Sequence, residues 1–99
     1  MELRKAIKEL REQVLRESQT VFAARLKLSL RAIAGYEKSR TPETPVLVKM
    51  LQLADAGGRD DLGDLFQAGI QRQIGYLLLR YPAAEREDFD ALTLSLIHI

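Results

Sequence analysis

The segment Ser18-Gln19-Thr20-Val21-Phe22-Ala23-Ala24-Arg25-Leu26-Lys27-Leu28-Ser29 carries two helix starts only eleven residues apart, so the helices it encodes must be short. A serine before a helical run accepts a hydrogen bond from one of the free N–H groups at the helix start. Ser18 therefore caps a helix over about 19–26, with Val21, Phe22 and Leu26 turned inward and the small Ala23 and Ala24 admitting a close neighbour. Lys27-Leu28-Ser29 breaks the run, and Ser29 caps a further helix over about 30–37 in which Ala32, Ile33 and Tyr36 fall at helical spacing.

The flanking sequence is also helical. Leu3, Ile7, Leu10 and Val14 recur at spacings of four, three and four among charged residues, the pattern of an amphipathic helix over about 2–16. Pro42 and Pro45 interrupt helix formation, and Thr44 with Pro45 reads as the cap and first residue of a helix through Val46, Leu47, Met50, Leu51 and Ala54, ending near Gly57-Gly58. A long apolar stripe then runs through Leu62, Leu65, Phe66, Gly69, Ile70, Ile74, Leu77 and Leu78, with Asp60, Asp61 and Asp64 at its favourable N-terminal end. Tyr81-Pro82 ends that helix, and a sixth could follow from Pro82 to about Leu92. The expectation is an all-α domain without strands or repeats.

Composition excludes several function classes. With 99 residues the chain is one small domain; with no Cys it has no disulfide framework, thiolate zinc site or cysteine nucleophile. No apolar run approaches the roughly 20 residues needed to span a bilayer, and the charged start is no export signal, so a cytoplasmic prokaryotic or phage setting is expected. Leu94-Ser95-Leu96-Ile97-His98-Ile99 coincides with the translation of CTG TCT CTT ATA CAC ATC, the end of a transposase-derived sequencing adapter. Residues 94–99 are thus expected to be a non-native tail; an apolar helix end of this sequence by chance is the competing explanation. On the first reading His98, the only histidine, carries no functional weight, and the natural chain continues in its own way after Thr93. Without a nucleophile, an acid/base pair or a metal set, no enzyme and no cofactor is expected. Asp60, Asp61 and Asp64 read as a helix-start charge cluster rather than a metal site, and Gly57-Gly58 lacks the rest of any nucleotide-binding fingerprint.

The net charge of +1 conceals an asymmetry. Residues 1–40 hold ten Lys or Arg against five Asp or Glu, and residues 41–99 hold five against nine, which suggests a basic working face and an acidic remainder. Two short helices joined by a tight turn also form the pair that can set its second helix in a DNA major groove.

With Ser18-Gln19, Phe22-Ala23, Leu26, Leu28-Ser29, Ile33 and Tyr36-Glu37-Lys38-Ser39-Arg40-Thr41-Pro42 in these positions, the chain resembles the phage-repressor and Cro-like (xenobiotic-response-element type) helix-turn-helix family over about residues 3–66. The resemblance implies a lambda-repressor-like bundle of four to five helices: a DNA-binding core over 1–58, and helices in 59–93 that complete the core and can dimerise. It implies a sequence-specific DNA-binding regulator, most often a repressor, that acts as a homodimer on double-stranded DNA with the helix over 30–37 in the major groove. Base-reading positions fall on Leu30, Arg31, Ala32 and Gly35. Arg31 alone has a long hydrogen-bonding side chain, with a phosphate contact or a plain solvated charge as its alternatives. Gln19, Lys27, Lys38 and Arg40 fall where the family meets the DNA backbone, Gln19 either on a phosphate or steadying the recognition helix. Arg11 and Glu37 match a structural ion pair, although the stretch from Arg11 to Gln19 is one residue longer than the family's. Lys27 and Ser39 stand where the family commonly has glycine, which puts the local turn geometry in doubt. The competing reading is an antitoxin-type module that binds a protein partner through the apolar helix over 61–79 and autoregulates its operon.

Overall fold

A computed structural model describes residues 1–80, with side chains through residue 75; the expected sixth helix and the 94–99 tail lie outside the described residues. The described chain is entirely helical: α1 (Leu3–Glu9) running on into a π-helical turn (Leu10–Leu15), α2 (Gln19–Leu26), α3 (Leu30–Tyr36), α4 (Thr44–Ala56) and α5 (Asp60–Arg80). No described helix is long and apolar enough to cross a membrane.

Local chemistry sets the helix limits. Ser18 Oγ accepts from Val21 N (3.2 Å) and Ser29 Oγ from Ala32 N (3.1 Å), so both expected caps form. The start of α4 differs by one residue: Glu43 is the cap position, Thr44 is already helical and Pro45 follows it. Thr44 does not cap because its hydroxyl donates instead to the Gln73 side chain in α5. Gly57 ends α4, and Gly58 turns the chain at φ 71° into α5.

One apolar cluster joins all five helices. Ala6, Ile7, Leu10, Phe22, Ile33, Tyr36, Leu47, Met50, Ala54, Leu62 and Phe66 are almost wholly buried in it, with Leu3, Val14, Leu28, Leu65 and Ile74 packed around the rim. Burying a side chain of this size contributes roughly 1.5–3 kcal/mol, which is how helices of seven or eight residues are held. The apolar stripe of α5 through Ile74 packs on this core, with Leu62, Phe66 and Ile70 buried and Leu65 and Ile74 partly covered. Val21 also differs from expectation: at 51% exposure it lies off the Phe22–Ala23–Leu26 stripe that α2 turns inward.

The π-helical turn answers the length discrepancy between Arg11 and Gln19. Arg16 N–H bonds to Arg11 O, five residues back, and Glu17 N–H bonds to the same oxygen at 3.0 Å. A π turn takes up one more residue than an α turn, so the extra residue is absorbed without shifting Arg11 or Gln19 out of position.

Candidate functional site

The α2–α3 turn forms around Lys27. Leu28 N–H reaches back to Ala23 O (2.9 Å), Lys27 takes the left-handed conformation at φ 57°, and half-buried Leu28 packs on the core beneath it. This is the hydrogen-bonded helix end that glycine usually serves. Lysine keeps the same geometry at a backbone cost of roughly 1–2 kcal/mol. Ser39 carries no such strain, since among the described residues only Arg16 and Lys27 are non-glycine residues with positive φ.

Arg11 locks the pair of helices to the rest of the bundle. Its Nε donates to Glu37 Oε2 (2.7 Å), Nη2 to Glu37 Oε1 (2.9 Å) and Nη1 to the Glu17 carbonyl (3.0 Å). The side chains are 11% and 6% exposed. Burial alone would raise the Glu37 carboxyl, but hydrogen bonds from Arg11 and Gln19 with the Arg11 charge outweigh it and hold the group below the ordinary carboxylate range. The Glu37 bond correspondingly raises Arg11. The expected ion pair is therefore present, at the foot of α3.

The loop after α3 is held from both sides. Gly35 O accepts from the backbone N–H groups of Lys38, Ser39 and Arg40, and Arg4 Nη1 donates to Lys38 O (3.3 Å). The Arg40 guanidinium lies over the Tyr36 ring, 5.3 Å from its centroid, and 3.5 Å from Glu43. Gln73 Nε2 donates to the carbonyl of Pro42 (2.7 Å), tying the loop to α5.

Charge is unevenly satisfied around this frame. All five acidic residues of the first forty are engaged by cations: Glu2 by Arg4, Glu9 by Arg59, Glu12 by Lys8 and Arg11, Glu17 by Arg25, and Glu37 by Arg11. Among the described residues Lys5, Arg16, Lys27, Arg31, Lys38, Lys49 and Arg72 make no ion pair. Three of these seven, Lys27, Arg31 and Lys38, precede, lie on and follow α3, and all three are exposed.

The expected site residues separate into two groups. Leu30 (48% exposed) and Arg31 stand out from the first turn of α3, with Lys27 and Lys38 open beyond its two ends. Gly35 is half-buried, and a Cβ there would sit in ordinary contact with the Arg40 side chain at 3.7 Å. Ala32 must be withdrawn from the base-reading positions: it is 8% exposed, because a helix that buries Ile33 and Tyr36 carries residue 32 to the same inward face. Gln19 turns to Glu37 Oε1 (3.3 Å), so its side chain braces α3. Arg40 is drawn onto Tyr36 and Glu43 instead of standing free.

Three further residues shape the site without having been singled out from the sequence. Glu17 pairs with Arg25 (Oε1–Nε 2.8 Å), Gln73 holds the loop, and Arg16 takes the left-handed conformation at φ 53°. Glu17 and Gln73 act through partners eight and about thirty residues away, and no spacing rule marks such contacts. Arg16 carried one signal, the extra residue before Gln19. Comparison with protein-family models, curated proteins and solved structures gave no significant match.

Proposed function

We propose that the chain is a sequence-specific DNA-binding regulator that sets α3 in the major groove of duplex DNA. The observation that carries this reading is the charge distribution: the acids of the first forty residues are all engaged in ion pairs, while Lys27, Arg31 and Lys38, all exposed, make none before, on and after one short helix. Unpaired cations along a helix whose first turn is exposed match the phosphate backbone on either side of a groove. The resemblance to the Cro-like helix-turn-helix family supports the same assignment.

The roles follow from exposure and chemistry. Arg31 reads a guanine edge through its two-pronged guanidinium, a contact contributing roughly 1–3 kcal/mol of discrimination. Leu30 offers only apolar contact, suited to a thymine methyl. Ala34 and Gly35 let the helix approach closely without adding hydrogen bonds, so phosphate contacts and DNA shape carry much of the affinity. Lys27 and Lys38 neutralise phosphates. Gln19 acts indirectly, by steadying Glu37 and hence α3. Repression and binding as two copies on half-sites about one DNA turn apart follow from the resemblance.

Selection of bound sites from a random duplex pool, with the Arg31→Ala variant alongside, tests the reading. An enriched motif that loses a G·C preference in the variant supports base reading by Arg31, and two-fold symmetry in the motif supports the dimer. Salt-sensitive binding without any enriched motif would reduce the function to phosphate tracking. Absence of duplex binding at low salt would refute the proposal.

A further inference from the structure

The two non-glycine residues that hold positive φ among the described residues are both cations, Arg16 (φ 53°) and Lys27 (φ 57°). They bracket α2, one two residues before Ser18 and its helix, the other immediately after Leu26. Glycine or asparagine would occupy either position with less strain, so arginine and lysine are costly choices for the backbone alone. Both side chains are exposed, and neither has an ion pair among the described residues. The adjacent Glu17 makes no ion pair with Arg16: its Oε1 is held by Arg25 and its Oε2 is buried without a hydrogen-bond partner. Glu12, on the preceding turn, is held by Lys8 and Arg11.

The position of Arg16 is not left to a loose loop. Arg11 binds the Glu17 carbonyl and the Glu37 carboxylate with one guanidinium, so the backbone that follows Arg16 is tied to the residue that ends α3. Arg4 holds the next residue of that loop, through Lys38 O. The π turn is what sets Arg16 there, since its N–H closes the last π bond on Arg11 O. Strained backbone retained at a fixed, exposed position is a pointer to function when the residue bears unused chemistry.

We infer that Arg16 is a phosphate-backbone contact for the duplex, standing before α2 in the chain as Lys27 stands after it. The inference rests on the DNA-binding reading above and adds a residue that the family resemblance does not supply, because the π turn that presents it accommodates the extra residue.

The test compares the wild-type chain with Arg16→Gly, Arg16→Asn and Arg16→Lys, measuring affinity against salt for the selected site and for a random-sequence duplex, together with thermal midpoints. Glycine and asparagine relieve the backbone and remove the charge, so both variants should melt a few degrees higher while the slope of log K against log salt falls by about 0.9, the value of one phosphate contact. The affinity loss should be the same on both duplexes, because a phosphate contact does not distinguish sequence. Arg16→Lys should keep the wild-type slope. An unchanged slope in the glycine and asparagine variants overturns the inference while leaving the DNA-binding reading intact, and so does a slope in Arg16→Lys as low as theirs. A wild-type chain that binds neither duplex overturns both.

Discussion

Replacing Arg11 by methionine removes the guanidinium but keeps most of the apolar stem, and it strands the Glu37 carboxylate. Glu37 is 6% exposed and would retain one hydrogen bond, the 3.3 Å contact from Gln19, after losing bonds of 2.7 and 2.9 Å. Hydrogen bonds to charged groups contribute about 1.5–3 kcal/mol each, and breaking one side of a buried pair costs about 3–5 kcal/mol in all. The pair opens at one edge, so a loss of about 3 kcal/mol is expected, or roughly 12–24 °C in the thermal midpoint of a domain this size.

The same change reverses a pH dependence. In the wild type the Glu37 carboxyl is held below its ordinary value, so its contribution to stability is present above the unfolded carboxyl's pKa and is lost as pH falls through the lower folded value. In Arg11→Met, burial, the largest influence on the Glu37 carboxyl, is opposed only by the Gln19 hydrogen bond and the Lys8 charge. The carboxyl should therefore rise above its unfolded value, and acidification from about pH 7 toward 5 should stabilise the variant relative to the wild type. Adding Glu37→Gln removes the stranded charge and should recover about 1–2 kcal/mol at neutral pH. Urea unfolding of the three chains across this pH range measures each quantity. A loss below about 1 kcal/mol in Arg11→Met, or a double variant no more stable than the single one, would refute the assignment of Arg11 as the clamp.

Two predictions concern packing and the loop. Gln73→Leu removes the bonds to Pro42 O and to the Thr44 hydroxyl; stability should fall by about 1–2 kcal/mol, and amide exchange should quicken in residues 38–43, measured by exchange mass spectrometry. A Cβ at Gly57 would lie 2.4 Å from Val14 Cγ1, so Gly57→Ala should cost about 1–3 kcal/mol in chemical denaturation, and Val14→Ala in the same chain should recover part of it.

The caps show what was legible without coordinates. Ser18 and Ser29 act on N–H groups three residues away, the prolines act on their own backbone, and the glycines after α4 act on the turn they occupy. Such effects travel no further than a helical turn, so the limits of α2 and α3 followed directly. Helical spacing also placed Ala32 with Ile33 and Tyr36, which was correct; it was the family position that put the same residue on the DNA side.

Other features depend on which surfaces meet. Whether an apolar residue at the margin of a stripe is covered depends on its neighbour: Val21 stays half exposed, whereas α1 and α4 pack on the α5 stripe. Thr44 was a sound cap in isolation and became a donor to Gln73 only once α5 lay beside it. The π turn has the same origin. Arg11 and Gln19 both bond the Glu37 carboxylate, and the π turn between them takes up one more residue than an α turn would. The limits of α2 and α3 were therefore properties of the local sequence, while the π turn, the start of α4 and the cations left unpaired around α3 were decided by contacts between segments distant in the chain, whose energies no local pattern encodes.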